Sequence, residues 1–213
     1  STSKDAQRRP YVWVGKGATP YDGFDFFGTF ENYDEEVYSY LSPRILEYGG
    51  TRYLIFGGFY RAEDKVAGQR HYQRMMICKL ESPTRFATKV SVISEPDKNW
   101  EIDGKVQIQE GPFPIVTPGG TLYVAYAAGQ TNSNEYCTGL LRFTGSASDD
   151  LTDRTKWTKL PEPLQFLDYE NRVYSPGAMV FVPEPDGTGL WGIFHVKLYP
   201  DIGYSHRVLF AQP

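Results

Sequence analysis

Short apolar segments alternate with glycine and proline along this chain, and the pattern predicts β-strands. One phrase begins at Pro112, continues through the apolar run 113–116 and a Pro-Gly-Gly turn, and ends in the aromatic-rich run 122–126. Apolar runs of this length between turn residues are typical of strands. We predict a hairpin, with Pro112 as the first residue of its strand because proline has no N–H for the ladder.

The same phrase occurs three times. Pro43, Pro112 and Pro176 each precede an apolar strand, a glycine turn and an aromatic-rich strand, with a period of about 65–70 residues. Chance recurrence of proline and glycine is the alternative, but the shared order of strand types favours a repeat that fits a propeller blade with long loops. Third strands are predicted at 74–80, 135–143 and 206–212, and fourth strands at 88–93 and 156–160.

The predicted fold is therefore an all-β propeller, with one domain over residues 1–213. It comprises a half-blade at 11–30 and blades at about 41–94, 108–160 and 174–213. A single helical turn, capped by Asp149 and Asp150, is expected at 151–156. Propellers close with four or more blades, so we expect a second chain, a missing N-terminal segment or self-association to complete this one.

Composition narrows the choice of partners. The formal net charge is −4 and no basic stripe occurs, which argues against nucleic acid and anionic membranes. No apolar run approaches membrane-spanning length. Cys78 and Cys137 fall in corresponding third strands of successive repeats, which are too far apart to bridge, so two buried free thiols are expected. Aromatic residues form 15% of the chain and suit either a propeller core or a sugar-stacking surface.

Few residues suggest chemistry by pattern alone. The sequence lacks a P-loop, a dinucleotide-binding glycine motif, an HExxH motif and an EF-hand loop. Most acidic residues lie in polar loops, where a solvated side chain is the ordinary interpretation. Glu110 differs because the repeat places it beside a strand. His195 ends an aromatic-rich strand, where a structural role competes with a place in the central channel. Trp100 is a candidate for sugar stacking or for packing between blades.

Longer segments resemble glycoside hydrolase family 43, the five-bladed propeller enzymes that release arabinose or xylose units, and most closely its arabinofuranosidase-like members. The resemblance rests on the following segments: MICKLESPTRF at 76–86, ISEPDKNWE at 93–101, IQEGPFPIV at 108–116, TLYVAYAAG at 121–129, EYCTGLLRF at 135–143, DLTDRTKWTKLPEPLQF at 150–166 and SPGAMVFVPEPDG at 175–187. Weaker similarity extends from Arg9 to Gln212. The resemblance implies a five-bladed fold, carbohydrate as the partner and an extracellular location.

The resemblance also implies roles for individual residues. Glu110 corresponds to the general acid of an inverting reaction, in which an Asp base activates water across the sugar. Arg207 matches an arginine that contacts sugar hydroxyls. His195 matches a histidine near the central axis that holds water or an ion; no other cofactor is expected. We expect Ser42, Glu110, Ser175 and Ala178 to begin first strands and converge at one end of the axis, with His195 and Phe113 lining the same region.

Two departures from the family pattern bear on activity. Ser42 occupies the position of the Asp that raises the pKa of the acid, so we expect Glu110 to be more ionised at neutral pH. The Gly-His-Asn-Ser phrase is replaced by residues 177–180, with Ala178 in place of the histidine. The base belongs to the family's first blade, which lies upstream of anything in this chain.

Whether the protein is an enzyme stays open between three hypotheses. They are an inverting glycosidase completed by a segment or chain that carries the base, a degenerate lectin-like propeller that binds sugars without cutting them, and a structural interaction propeller. On any of them, the 213 residues alone are not expected to hydrolyse a glycoside at an enzyme-like rate.

Overall fold

The computed structural model describes residues 8–60, 71–103, 106–203 and 207–212, and within them the regular structure is almost entirely β. Fifteen strands are found in these ranges, together with three single turns of 3-10 helix. The turns are Pro20–Asp22, Asn99–Glu101 and Arg154–Lys156. The all-β class predicted from the sequence is confirmed.

The first two strands form a hairpin of their own, and the first set, of five strands, follows. The hairpin pairs β1 (Tyr11–Gly15) with β2 (Phe24–Thr29) in antiparallel fashion. The next set is antiparallel in the order β3-β4-β5, and β6 and β7 both pair with β5. Its strands are β3 (Val37–Tyr48), β4 (Thr51–Tyr60), β5 (His71–Ser82), β6 (Arg85–Phe86) and β7 (Ser91–Ser94).

A second set follows in the order β9-β10-β11-β12, with β8 paired to β9. Its strands are β8 (Ile102–Asp103), β9 (Val106–Val116), β10 (Leu122–Ala128), β11 (Cys137–Phe143) and β12 (Trp157–Lys159). The beginning of β9 runs parallel to the beginning of β5 and joins both sets into one ten-stranded sheet. This parallel link was not expected, because the sequence pattern treats each repeat as a separate sheet.

The third set is a three-stranded antiparallel sheet in the order β13-β14-β15. Its strands are β13 (Tyr174–Pro183), β14 (Leu190–Lys197) and β15 (Arg207–Gln212). The strand types therefore follow the predicted order in all three sets. The division into blades, and their number, stay predictions.

A β-bulge lies at the same place in each repeat. Ser42, Gly111 and Ser175, which immediately precede the three repeat prolines, have φ values of 48°, 59° and 55°. The strand register shifts at each of these points. The expectation that Pro112 is the first residue of its strand is wrong, since β9 begins at Val106. Pro43 and Pro176 likewise lie inside β3 and β13. A bulge leaves a residue outside the ladder, and this admits proline inside a strand.

The core lies between successive strand sets, because the central strands are buried on both faces. In β4 and β5, Ile55, Met75 and Ile77 face a cluster shared with Leu122 and other residues of the second set. The alternate residues, among them Phe56 and Met76, face a second cluster that includes Phe30. Side chains alternate between the faces of a strand, so these strands pack on neighbours on both sides.

Two local expectations have different outcomes. The turn predicted at 151–156 is present only as Arg154–Lys156, and Asp153 caps it by accepting from the Thr155 N–H, so Asp149 and Asp150 are not its caps.

Cys78 and Cys137 are buried free thiols, as predicted. Burial raises the pKa of each to about 12. Within the described residues, no helix is long and apolar enough to cross a membrane.

Candidate functional site

Glu110 lies inside β9, directly before the bulge at Gly111. It pairs with Ala127 of β10, and the next ladder pair joins Phe113 to Ala125, so residues 111 and 112 bulge out of the ladder. Its side chain is half-buried. The prediction that Glu110 begins a strand is wrong, but the structure places it at the rigid Gly-Pro bulge that the sequence singled out.

Gly57, which has no side chain, lets β9 approach the first set of strands closely. A Cβ atom on Gly57 would lie 2.7 Å from the backbone oxygen of Gln109 and 3.0 Å from Cα of Glu110. Real Cβ atoms do not approach backbone atoms this closely, so only glycine permits this contact. Gly57 is the cross-strand partner of Leu41, the residue before Ser42. These linked contacts limit the Cα separation of Ser42 and Glu110 to about 14 Å.

Burial is the largest influence on the pKa of Glu110. The pKa of this carboxyl is raised from its ordinary value because burial disfavours the charged form, while the positive charge of Arg8 acts in the opposite direction. The sequence argument named only a like charge at position 42 as a source of such a shift. The tertiary structure supplies another source, which is burial. The expectation that Glu110 is more ionised than an acid with an Asp at position 42 stays a prediction.

The sequence did not single out Glu101, which proves to be the centre of a buried polar network. Its carboxyl is fully buried and accepts hydrogen bonds from five donors. Its Oε1 accepts from Gln109 Nε2 at 2.7 Å and Tyr126 Oη at 2.8 Å. Its Oε2 accepts from Lys159 Nζ at 2.7 Å and from two backbone N–H groups, those of Asp97 and Lys98. In the sequence, Glu101 lies in a polar loop that has the composition of a solvated segment.

Trp100 packs into the core next to this network. Its ring stacks on Tyr126 with centroids 6.3 Å apart, and its Nε1 donates to the carbonyl of Pro161. The ring also packs against the cluster between the first and second sets. These contacts correspond to the packing role that the sequence left open; a sugar-facing role stays a prediction.

The third set places His195 and Ala178 close together. His195 is the cross-strand partner of Gly177, the residue before Ala178. The His195 ring stacks on Tyr136 at 5.7 Å, and a Cβ on Gly177 would lie 2.2 Å from that Tyr136 ring. Ala178 is exposed and has a φ of 54°. The absence of a side chain at Gly177 lets Tyr136 cover this pair of strands.

Phe113 connects this region to Glu110. It follows Glu110 by three residues in β9, and its ring lies 6.3 Å from that of Phe181 in β13. Ser175 is fully buried rather than open to a central cavity. Arg207 pairs with Lys197 through its backbone, and its side chain lies outside the described residues. Glu110 is thus near Ser42 on one side, while its strand contacts the third set on the other.

The described residues contain no group of three or more His, Cys, Asp or Glu side chains arranged to hold a metal ion. An ion at His195 would therefore take its other ligands from backbone carbonyls or water, or from residues beyond those described. Such an ion stays a prediction.

The sequence is similar to those of two curated proteins. The chain is 31% identical over 192 residues to the extracellular exo-alpha-(1->5)-L-arabinofuranosidase of Streptomyces avermitilis, covering 89% of this chain and 34% of that protein. It is 26% identical over 196 residues to the enzyme of the same name from Streptomyces chartreusis, covering 90% of this chain and 55% of that protein. The chain thus spans between about a third and just over half of these curated relatives.

Solved structures support the fold. The alpha-L-arabinofuranosidase of Lactobacillus brevis superposes with a TM-score of 0.79 at 22% identity, covering 97% of this chain and 62% of that one. An endo-arabinase from Bacteroides thetaiotaomicron gives a TM-score of 0.62 at 15% identity, covering 95% and 66%. These likenesses confirm the predicted propeller-type fold. A family model described as Glycosyl hydrolases family 43 matches residues 18–213, so the chain belongs to that family.

Proposed function

We propose that this protein acts on or binds arabinose- or xylose-containing cell-wall glycans, with Glu110 as the general acid if it is active. One observation carries the proposal. Glu110 is the carboxyl that the family resemblance selects, and it is held at a rigid bulge where burial raises its pKa. A general acid must keep its proton near neutral pH, and a raised pKa favours that state. The arabinofuranosidase names of the curated relatives support the substrate class.

The proposed reaction inverts configuration at the sugar. Glu110 donates its proton to the leaving glycosidic oxygen, while a second, ionised carboxyl activates a water molecule on the opposite face of the ring. The two carboxyls of an inverting enzyme lie about 6.5–9.5 Å apart, which leaves room for that water. In this proposal the second carboxyl comes from a segment or chain beyond the 213 residues.

A degenerate, sugar-binding propeller is the second candidate, and two specific positions favour it. Ser42 and Ala178 replace a carboxylate and a histidine that the family pattern places there. The Ser42 hydroxyl carries no charge near neutral pH, and Ala178 has no ionisable group. Both residues have positive φ values at strand bulges, 48° at Ser42 and 54° at Ala178. A sugar-binding pocket that lacks these two groups is the arrangement this candidate requires.

The test compares the chain with its Glu110→Gln variant on nitrophenyl arabinofuranoside and xyloside, with Glu47→Gln as the control. Glu47 is an exposed residue of β3 that pairs with Arg52. We expect no enzyme-like turnover from the 213 residues alone. In a form that supplies the base, E110Q should lose about 10²–10⁴-fold in activity while E47Q loses none.

Each other result decides between the candidates. Turnover by the chain alone, abolished in E110Q and retained in E47Q, would show that the chain carries its own base. Turnover that survives in E110Q would refute the acid role. Calorimetric binding of arabino- or xylo-oligosaccharides without any turnover would favour the lectin-like candidate, and the absence of binding would favour a structural interaction propeller.

We also propose an extracellular location and a partner that completes the propeller. The names of the curated relatives support the location. The hairpin β1–β2 supports the partner, because Tyr11, Trp13 and Phe26 lie on one face of it and are 55–60% exposed. A second chain, a further segment or another copy could cover this face. The native mass, compared with the mass under denaturing conditions, distinguishes these, and a native mass of 24.2 kDa, that of the 213 residues, would contradict all three.

A further inference from the structure

Gln109, the residue before Glu110, makes side-chain contacts to three separate parts of the chain. Its Oε1 accepts a hydrogen bond from the Met75 N–H of β5 at 3.2 Å. Its Nε2 donates to Ser94 Oγ of β7 at 3.0 Å and to Glu101 Oε1 at 2.7 Å. The side chain is fully buried. A single amide therefore ties β9 to two strands of the first set and to the 3-10 turn that precedes β9.

The backbone of Gln109 is held against the same surface. Its carbonyl oxygen and Cα of Glu110 occupy the space that a side chain on Gly57 would fill. Gly57 and Met75 are cross-strand partners in β4 and β5. The carbonyl and the side-chain amide of Gln109 thus both contact one ladder pair, and Glu110 follows directly in the chain before the bulge at Gly111.

Glu101, the residue to which the Gln109 amide donates, is itself held rigidly. Glu101 holds Gln109 through a carboxylate whose oxygens also accept from Tyr126, Lys159 and two backbone N–H groups. Tyr126 is almost fully buried as well. Satisfied buried networks of this kind strongly restrict the position of their members, because any displacement leaves polar groups unpaired. The network therefore restrains β9 beside Glu110.

We propose that Gln109 is a positioning residue for Glu110: its amide clamps β9 onto the first set of strands and holds Glu110, whose Cα and Cβ lie against Gly57, in a half-buried place. This inference rests on the proposed role of Glu110 as the general acid. Without the clamp, β9 moves outward, water reaches the carboxyl, and the group loses the burial that favours its protonated form. Arg8 is the charged group that acts on Glu110 in the opposite sense.

The test is an NMR titration of the Glu110 carboxyl in protein labelled with ¹³C at the glutamate side-chain carboxyls, with the signal assigned by its loss in E110Q. Gln109→Met keeps the length of the side chain and removes its hydrogen bonds. Gln107→Met is the matched control, two residues earlier on the same face of β9. We expect the Glu110 midpoint to move toward that of an exposed glutamate in Q109M and to stay at the wild-type value in Q107M.

A second pair of variants covers the case in which Q109M does not fold. Gly57→Ala pushes on the Gln109 carbonyl from the other side, whereas Gly119→Ala adds a methyl group whose nearest neighbour lies 4.0 Å away. The Glu110 midpoint should fall in G57A and not in G119A. A wild-type midpoint in folded Q109M or in G57A, or an equal fall in either control, would overturn the proposal.

The titration does not require turnover, so it separates the two proposals. An unchanged midpoint in Q109M leaves Glu110 free to be the acid. Full activity in E110Q would remove the acid role and leave the clamp in place.

Discussion

The buried ion pair between Lys159 and Glu101 is expected to contribute strongly to stability. Lys159 Nζ lies 2.7 Å from Glu101 Oε2 and 2.6 Å from Asp97 Oδ1. The Lys159 side chain is 9% exposed and that of Glu101 is 0% exposed. Lys159→Met would keep most of the apolar stem but leave the Glu101 carboxylate buried with neutral donors only.

The size of the effect follows from the loss of one partner of a buried pair. Breaking such a pair costs about 3–5 kcal/mol, because the remaining charge is uncompensated. The four neutral donors that remain on Glu101 favour the lower end, about 3 kcal/mol. For a chain of this size, that loss lowers Tm by about 6–12 °C. Urea denaturation and calorimetry measure the two quantities.

The control is a partly exposed ion pair of the same chemistry. Lys79 Nζ lies 2.7 Å from Asp150 Oδ2, with the two side chains 31% and 41% exposed. Lys79→Met should cost only about 0–1 kcal/mol, since water screens the charge that remains. Combining K159M with Glu101→Gln should reduce the penalty of K159M, because the stranded charge is gone. A K159M loss no larger than that of K79M would refute the reasoning.

Two further predictions concern groups whose pKa burial raises. The folded pKa of Glu110 is above its ordinary value of 4.5, so the stability that this carboxyl contributes is complete below about pH 4.5 and is lost as pH rises through the folded pKa. The E110Q variant should therefore match the stability of the wild type in acid and become relatively more stable at higher pH. A constant difference in unfolding free energy across the pH range would contradict this. Burial raises the pKa of the Cys78 and Cys137 thiols to about 12. Neither thiol should therefore react with a thiol reagent at pH 8 until urea unfolds the chain. Rapid labelling of the native protein would contradict the burial of these thiols.

The strand order was accessible from the sequence because it depends on local signals. Alternating apolar residues, glycine turns and the repeated prolines predict the strands around 43, 112 and 176, and the structure has them in the predicted order. The upstream extensions of β3 and β9 were missed. A positive φ at Ser42 is uncommon for a residue with a side chain, and neighbouring strands rather than the residue type stabilise it here.

The candidate acid was accessible for a different reason. Glu110 was selected because it stands beside Gly111 and Pro112 in a repeat and because the surrounding segments resemble those of a family. Its environment was not accessible, and the sequence argument therefore considered only a charge at position 42 and missed the effect of burial. Burial by distant strands, with Gly57 as the point of closest approach, raises its pKa.

The sequence by itself determined the periodic features of this protein: the order of strands and turns, the repeated prolines and the carboxyl of Glu110 beside one of them. Only the tertiary structure decided which polar residues are buried. Glu101, Gln109 and Lys159 lie up to 58 residues apart in the chain and have the polar character of loop and strand-edge residues, yet they meet in one network. Burial depends on which strands pack together in space, and neither residue type nor local spacing contains that information.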